Sequence, residues 1–222
     1  MRQNAEEPCR GRGRPQIRPD EETRNLIVEA ARLEFQTKGY AGACVGDVAK
    51  RAGVSTKTLY RLIPNKADLF KEVVNERISR FMVDIDAVVA DAGAIEAALE
   101  RILVSYGRLT LEPATIALTR LVLSESDRFP EIAATFYESA IMKTEKAMEA
   151  WLRSQCARGI ITLEDPRIAT EMLRGMMIFE PQRAAMLGMR TPPNDDEIVK
   201  RAKLCARIFV NGATAKATST HH

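Results

Sequence analysis

At 222 residues with 45% hydrophobic side chains, the chain can build one large or two small domains around an ample apolar core. No stretch approaches the ~20 consecutive apolar residues that span a membrane, and the Arg-rich N-terminus lacks the apolar segment of a signal peptide, so a soluble, cytoplasmic protein without a membrane partner is expected. The net charge of +3 is unevenly spread: residues 1–88 hold 16 Lys and Arg against 13 Asp and Glu, residues 89–222 hold 17 against 17, and the surplus in the first part is the footprint of a nucleic-acid module beside a neutral partner domain.

The chemistry available is narrow. The histidines are His221 and His222 at the very end, so no histidine triad or histidine-ligated metal site can form without that tail. Cys9, Cys44, Cys156 and Cys205 lack metal-ligand spacing and read as free thiols in a reducing compartment. No glycine-rich phosphate loop follows a strand. Neither a metal, a cofactor nor a catalytic residue is expected, and an enzyme is a distant alternative.

In chain order, residues 1–19 form a basic arm predicted to be disordered. Arg10-Gly-Arg-Gly-Arg14-Pro15 cannot form a helix, and the segment looks like an AT-hook, with Arg12 and Arg14 suited to a narrow minor groove. The competing reading is a tail that adds only nonspecific phosphate attraction. A helix then opens at Asp20-Glu21-Glu22, carries Leu26, Ile27, Ala30, Ala31 and Phe35 at helical spacing, and runs to Gly39.

Residues 45–70 are the most informative stretch. Val45, Val48 and Ala49 share one face of a short helix, Gly53 turns the chain, and Ser55 is placed to cap a second helix. On that second helix Thr56, Lys57, Tyr60 and Arg61 lie outward, while Leu59 and Leu62 can face inward. Pro64 stops it. Asn65 with Asp68 resembles a capping box that opens a long third helix, with Lys66 at an N-terminus whose free N–H groups and dipole favour a phosphate. This is a helix-turn-helix.

Phe35, Gly39-Tyr40, Asp47-Val48-Ala49, Ala52-Gly53-Val54-Ser55, Leu59-Tyr60 and Pro64-Asn65-Lys66 with Leu69-Phe70 resemble the TetR family of bacterial transcription regulators over Asp20 to Arg80. The resemblance implies a recognition helix from Thr56 to Leu62, with Tyr60 and Thr58 on backbone phosphates, Thr56, Lys57 and Arg61 near base edges, and Lys66 holding a phosphate. Cys44 departs from the usual capping Ser or Thr. Leu62 and Ile63 replace a polar or aromatic pair.

The helix from Asn65 is expected to end near Asp91-Ala92-Gly93, long enough to enter a second domain. Beyond it the chain reads as helical: Ile95 to Leu111, Thr115 to Ser124, Glu131 to Arg158, Arg167 to Leu187 with a kink at Pro181, and Asp195 to Asn211. The fold class is therefore all-α, with an N-terminal three-helix helix-turn-helix DNA-binding domain over residues 20–80 and a C-terminal helical effector and dimerisation domain over residues 81–212. Residues 213–222 are read as a disordered tail.

Arg120 to Ile132, with Phe136-Tyr137, is similar to the C-terminal domain of the AefR-like branch of the family. One recognition helix reads few bases, whereas a two-fold dimer reads two half-sites, so a homodimer on a partly palindromic double-stranded DNA operator is expected. The family makes its dimer from the last two helices. Here these carry Met172, Met176 and Phe179, then Ile198, Ala202, Cys205 and Phe209, a pattern that an internal core stripe explains equally well. An effector pocket is implied by the resemblance, lined by Tyr106, Phe136, Tyr137, Trp151 and Met176, with Arg120 or Tyr106 as polar contacts for an apolar small molecule. The reading is a ligand-responsive repressor. The alternative keeps the DNA binding and makes the second domain a docking surface for another protein.

Overall fold

The computed structural model describes residues 18–89 and 93–213. Among the described residues the chain is all-α, with no strand, and none of its helices is long and apolar enough to cross a membrane. Arg12 and Arg14 of the arm lie outside the described residues.

Helix α1 (Asp20–Gly42) follows Pro19 and places Asp20, Glu21 and Glu22 in its first turn, where unpaired backbone N–H groups favour negative charge. Ile27, Ala31 and Phe35 are buried along one face. The sequence predicts an end at Gly39. Instead Gly39 (φ 71°, ψ 176°) breaks the helical path and a further turn continues to Gly42, because only a residue without Cβ tolerates that backbone.

Helix α2 (Val45–Ala52) starts at Cys44 without a side-chain cap, as the Cys substitution predicts. It ends on Gly53 in the left-handed region (φ 69°), with the Gly53 and Val54 N–H groups returning to the carbonyls of Lys50 and Ala49. Helix α3 (Thr56–Leu62) is capped as expected: Ser55 Oγ accepts the Thr58 N–H at 3.0 Å. Leu59 is fully buried, Leu62 half-buried, and Ile63 is buried too, so its departure from a polar residue serves packing.

Helix α4 (Lys66–Val89) opens with the expected reciprocal cap: the Asp68 N–H donates to Asn65 Oδ1 at 2.8 Å, and Asn65 Nδ2 donates to Asp68 Oδ2 at 2.7 Å. After it come α5 (Ile95–Thr110), α6 (Pro113–Glu125) and α7 (Pro130–Phe136), with Pro113 and Pro130 in their first turns. The single helix predicted from Glu131 to Arg158 is interrupted: a π-helical turn (Tyr137–Ile141) separates α7 from α8 (Met142–Ala157). Helix α9 (Pro166–Met186) is capped by Asp165 Oδ1, which accepts the Arg167 and Ile168 N–H groups, and it continues through the buried Pro181 to Met186. Helix α10 (Asp195–Ala213) closes the described fold.

Two apolar cores result, and α4 runs through both. The first joins Ile27, Phe35, Tyr40, Leu59, Leu69 and Phe70 to Leu118 and Val122 of α6 and Ile132 of α7. The second joins Phe81 and Ile85 of α4 to Leu99, Leu103, Trp151, Leu173, Met177 and Ala202.

Candidate nucleic-acid interface and effector cavity

Because Leu59 and Ile63 anchor α3 from below, its other face is left to solvent. Thr56, Lys57, Tyr60 and Arg61 are exposed there, Tyr60 at 50%. Thr58 is half-buried, its Oγ1 2.9 Å from Ser55 Oγ, so it completes the cap. Arg61 is held in a fork: Nη1 and Nη2 donate to Asp20 Oδ2 and Oδ1 at 2.8 and 2.6 Å, and this pairing raises the guanidinium above its ordinary pKa. The fork that suits a carboxylate also suits the O6 and N7 edge of guanine.

Lys66 sits beside this face, half-buried, with Nζ 4.7 Å from the Tyr40 ring centroid and 3.4 Å from the Ala41 carbonyl. Desolvation lowers its pKa from the ordinary lysine value. Below it lies a junction absent from the sequence reading. The Tyr40 and Ala41 N–H groups, freed by the break at Gly39, donate to Glu125 Oε1 and Oε2 at 2.8 Å each. The Tyr40 ring meets Phe129 edge to face at 5.2 Å. The C-terminal end of α6 is thereby tied to the helix-turn-helix.

A cavity of about 140 Å³ lies where the two cores meet, with Val74 and Ile78 of α4, Tyr106 of α5, Leu118 of α6, Phe136 before the π turn and Ile178 of α9 in its wall. Tyr106 and Phe136 therefore come together as expected. The other expected pocket residues do not join them: Trp151 is buried in the second core, Met176 packs at that core's edge, and Tyr137 is 54% exposed. Arg120 lines a separate cleft of about 290 Å³ against α1 and donates to the Ala185 carbonyl at 3.3 Å. Thr115, Arg174, Gln182 and Arg77 line the same cavity as Tyr106 and Phe136 and were not picked out from the sequence. Arg174 carried a signal, a lone charge amid the apolar run Met172 to Phe179; Thr115 carried none. Among the described residues no group of His, Cys, Asp and Glu is arranged to hold a metal.

The surface of α9 and α10 is apolar in part. Ile168, Met172, Phe179, Leu204 and Ile208 are exposed, whereas Ile198, Ala202 and Cys205 are buried in the second core and Met176 and Phe209 are half-buried. The α10 stripe read from the sequence is thus internal, and a different one, Leu204 and Ile208, faces outward. Burial pushes the Cys205 thiol up from its ordinary pKa, and Cys44, Cys156 and Cys205 are all free.

Comparison with known proteins agrees with this architecture. Residues 27–73 match the profile of bacterial regulatory proteins of the tetR family, and residues 97–212 match that of the AefR-like transcriptional repressor C-terminal domain. The HTH-type transcriptional regulator EthR of Mycolicibacterium smegmatis is 29% identical over 154 residues, covering 67% of this chain and 68% of that protein. The HTH-type transcriptional repressor LfrR of the same organism is 30% identical over 122 residues, 55% of this chain and 53% of its own length. A TetR-family regulator structure from Mesorhizobium loti superposes with a TM-score of 0.77 at 24% identity, over 89% of this chain and 100% of that one.

Proposed function

We propose that this chain, which belongs to the TetR family of bacterial regulatory proteins and is a DNA-binding transcriptional regulator rather than an enzyme, acts as a homodimeric repressor that releases a partly palindromic operator when a small apolar molecule binds. In this reading residues 20–80 contact DNA and residues 81–212 bind effector and partner subunit. The observation that carries it is the position of the cavity. Its wall includes Val74 and Ile78 of the same helix, α4, whose first residue is Lys66 beside the recognition face.

Tyr60, Thr58 and Lys66 contact phosphates; Thr56, Lys57 and Arg61 reach base edges; and Met172 and Phe179 of α9 with Leu204 and Ile208 of α10 meet their two-fold copies. A ligand that prefers the DNA-incompetent spacing of the two α3 helices by ~3 kcal/mol weakens operator binding roughly a hundredfold.

Footprinting on the DNA flanking the coding region, followed by gel-shift titration, tests the reading. Tyr60→Ala and Lys66→Ala are expected to weaken binding to all sequences alike, whereas Lys57→Ala and Arg61→Ala change base preference by about 1–3 kcal/mol at single positions. Four variants that bind like the parent would place the reading surface elsewhere.

A further inference from the structure

The cavity wall carries two guanidinium groups, and each is already neutralised. Arg77 Nη1 is 2.6 Å from Glu112, and Arg174 Nη1 is 2.6 Å from Glu145, both partners of the second pair being largely withdrawn from solvent. A carboxylate entering this space would add a negative charge with no free cation to meet it, and a cationic ligand would add a positive one. Either leaves an uncompensated charge against a mainly apolar wall.

The polar groups that remain are few because most are spent within the protein. Thr110, Thr119 and Thr144 donate to the carbonyls four residues earlier at 2.7–2.9 Å, and Gln182 Nε2 donates to the Thr110 carbonyl at 3.0 Å. Two hydroxyls are left over. Tyr106 Oη accepts from Arg174 Nε at 3.0 Å, which leaves its own proton to donate, and burial raises the phenol's pKa so that the proton is retained at neutral pH. Thr115 Oγ1 is buried, lines the same cavity and has no hydrogen-bond partner. A native protein rarely leaves a buried hydroxyl unpaired without a use for it.

We infer that the cavity takes an uncharged, mainly apolar molecule bearing one strong acceptor of the ketone or ester carbonyl kind, which the Tyr106 and Thr115 hydroxyls hold. This rests on the reading of the cavity as the effector site. It separates the ligand from fatty acids and other carboxylates, which the apolar lining alone would admit.

Three molecules of matched shape test the inference: benzylacetone, a ketone; hydrocinnamate, its carboxylate counterpart; and isopentylbenzene, its hydrocarbon counterpart. In calorimetric titrations of the full chain, benzylacetone is expected to bind at least about tenfold more tightly than either of the others, the worth of one well-made buried hydrogen bond. Tyr106→Phe should erase its advantage over isopentylbenzene without changing the hydrocarbon's affinity. Thr115→Val should reduce that advantage while leaving thermal stability unchanged or higher, since the hydroxyl it removes is unpaired; this variant decides the matter should Tyr106→Phe unfold the chain. Hydrocinnamate binding as tightly as the ketone, or a ketone preference that survives in both variants, would overturn the inference. Failure of all three to bind would overturn it together with the cavity's role as effector site. Binding in the expected order without operator release would uphold the ligand class and refute the ligand-responsive repressor.

Discussion

Gly39 and Glu125 meet where α1 touches α6, and each explains the other. A Cβ on Gly39 would lie 2.6 Å from Glu125 Oε1, and the residue's φ of 71° with ψ of 176° belongs to a region that only glycine enters readily. The break exposes two backbone donors, which the carboxylate satisfies. Gly39→Ala is expected to cost about 1–3 kcal/mol in urea denaturation, and Glu125→Ala a similar amount by orphaning those donors. Because both act on one junction, the double variant should lose less than the two losses added; strict additivity would show that the residues act independently. Half of this was legible in the sequence. Gly39 stood in the recognised motif and Glu125 in the AefR-like stretch, but nothing in either segment says that they touch, since a contact between residues so far apart in sequence leaves no periodicity to read.

Among the elements, the helices announced by a cap, a proline or an acidic first turn were found close to their expected bounds, because those signals are local. The π turn was not foreseen. An extra residue in one turn leaves the sequence apolar at much the same spacing, and only the packed structure decides which turn absorbs it. Helix α10 shows the other limit of periodicity. It carries two apolar stripes, Ile198-Ala202-Cys205 and Leu204-Ile208, and the spacing of each is helical; which one meets its own core depends on α5 and α9. The outward stripe, with the exposed Met172 and Phe179 of α9, yields an expectation. Met172→Asp combined with Phe179→Asp should convert a dimer to a monomer in sedimentation velocity with helical content unchanged, since both side chains are more than 60% exposed in the single chain. A dimer that survived this double change would have to use another face.

For the molecule as a whole, the proposed repressor has effector and operator compete for one set of conformations. Linkage then requires that an effector which weakens operator binding roughly a hundredfold be itself bound roughly a hundredfold more weakly by the operator complex. Titrating effector into the free protein and into the complex measures both factors, and unequal factors would mean that the two do not act through a shared equilibrium. The first core, finally, draws Leu118, Val122 and Ile132 from well beyond the helix-turn-helix. A fragment cut in the middle of α4 would bare Tyr40 and its neighbours to water where α6 and α7 had covered them. The reading head is therefore no portable cassette: grafted onto a foreign sensor, it would need the lower ends of those two helices to travel with it.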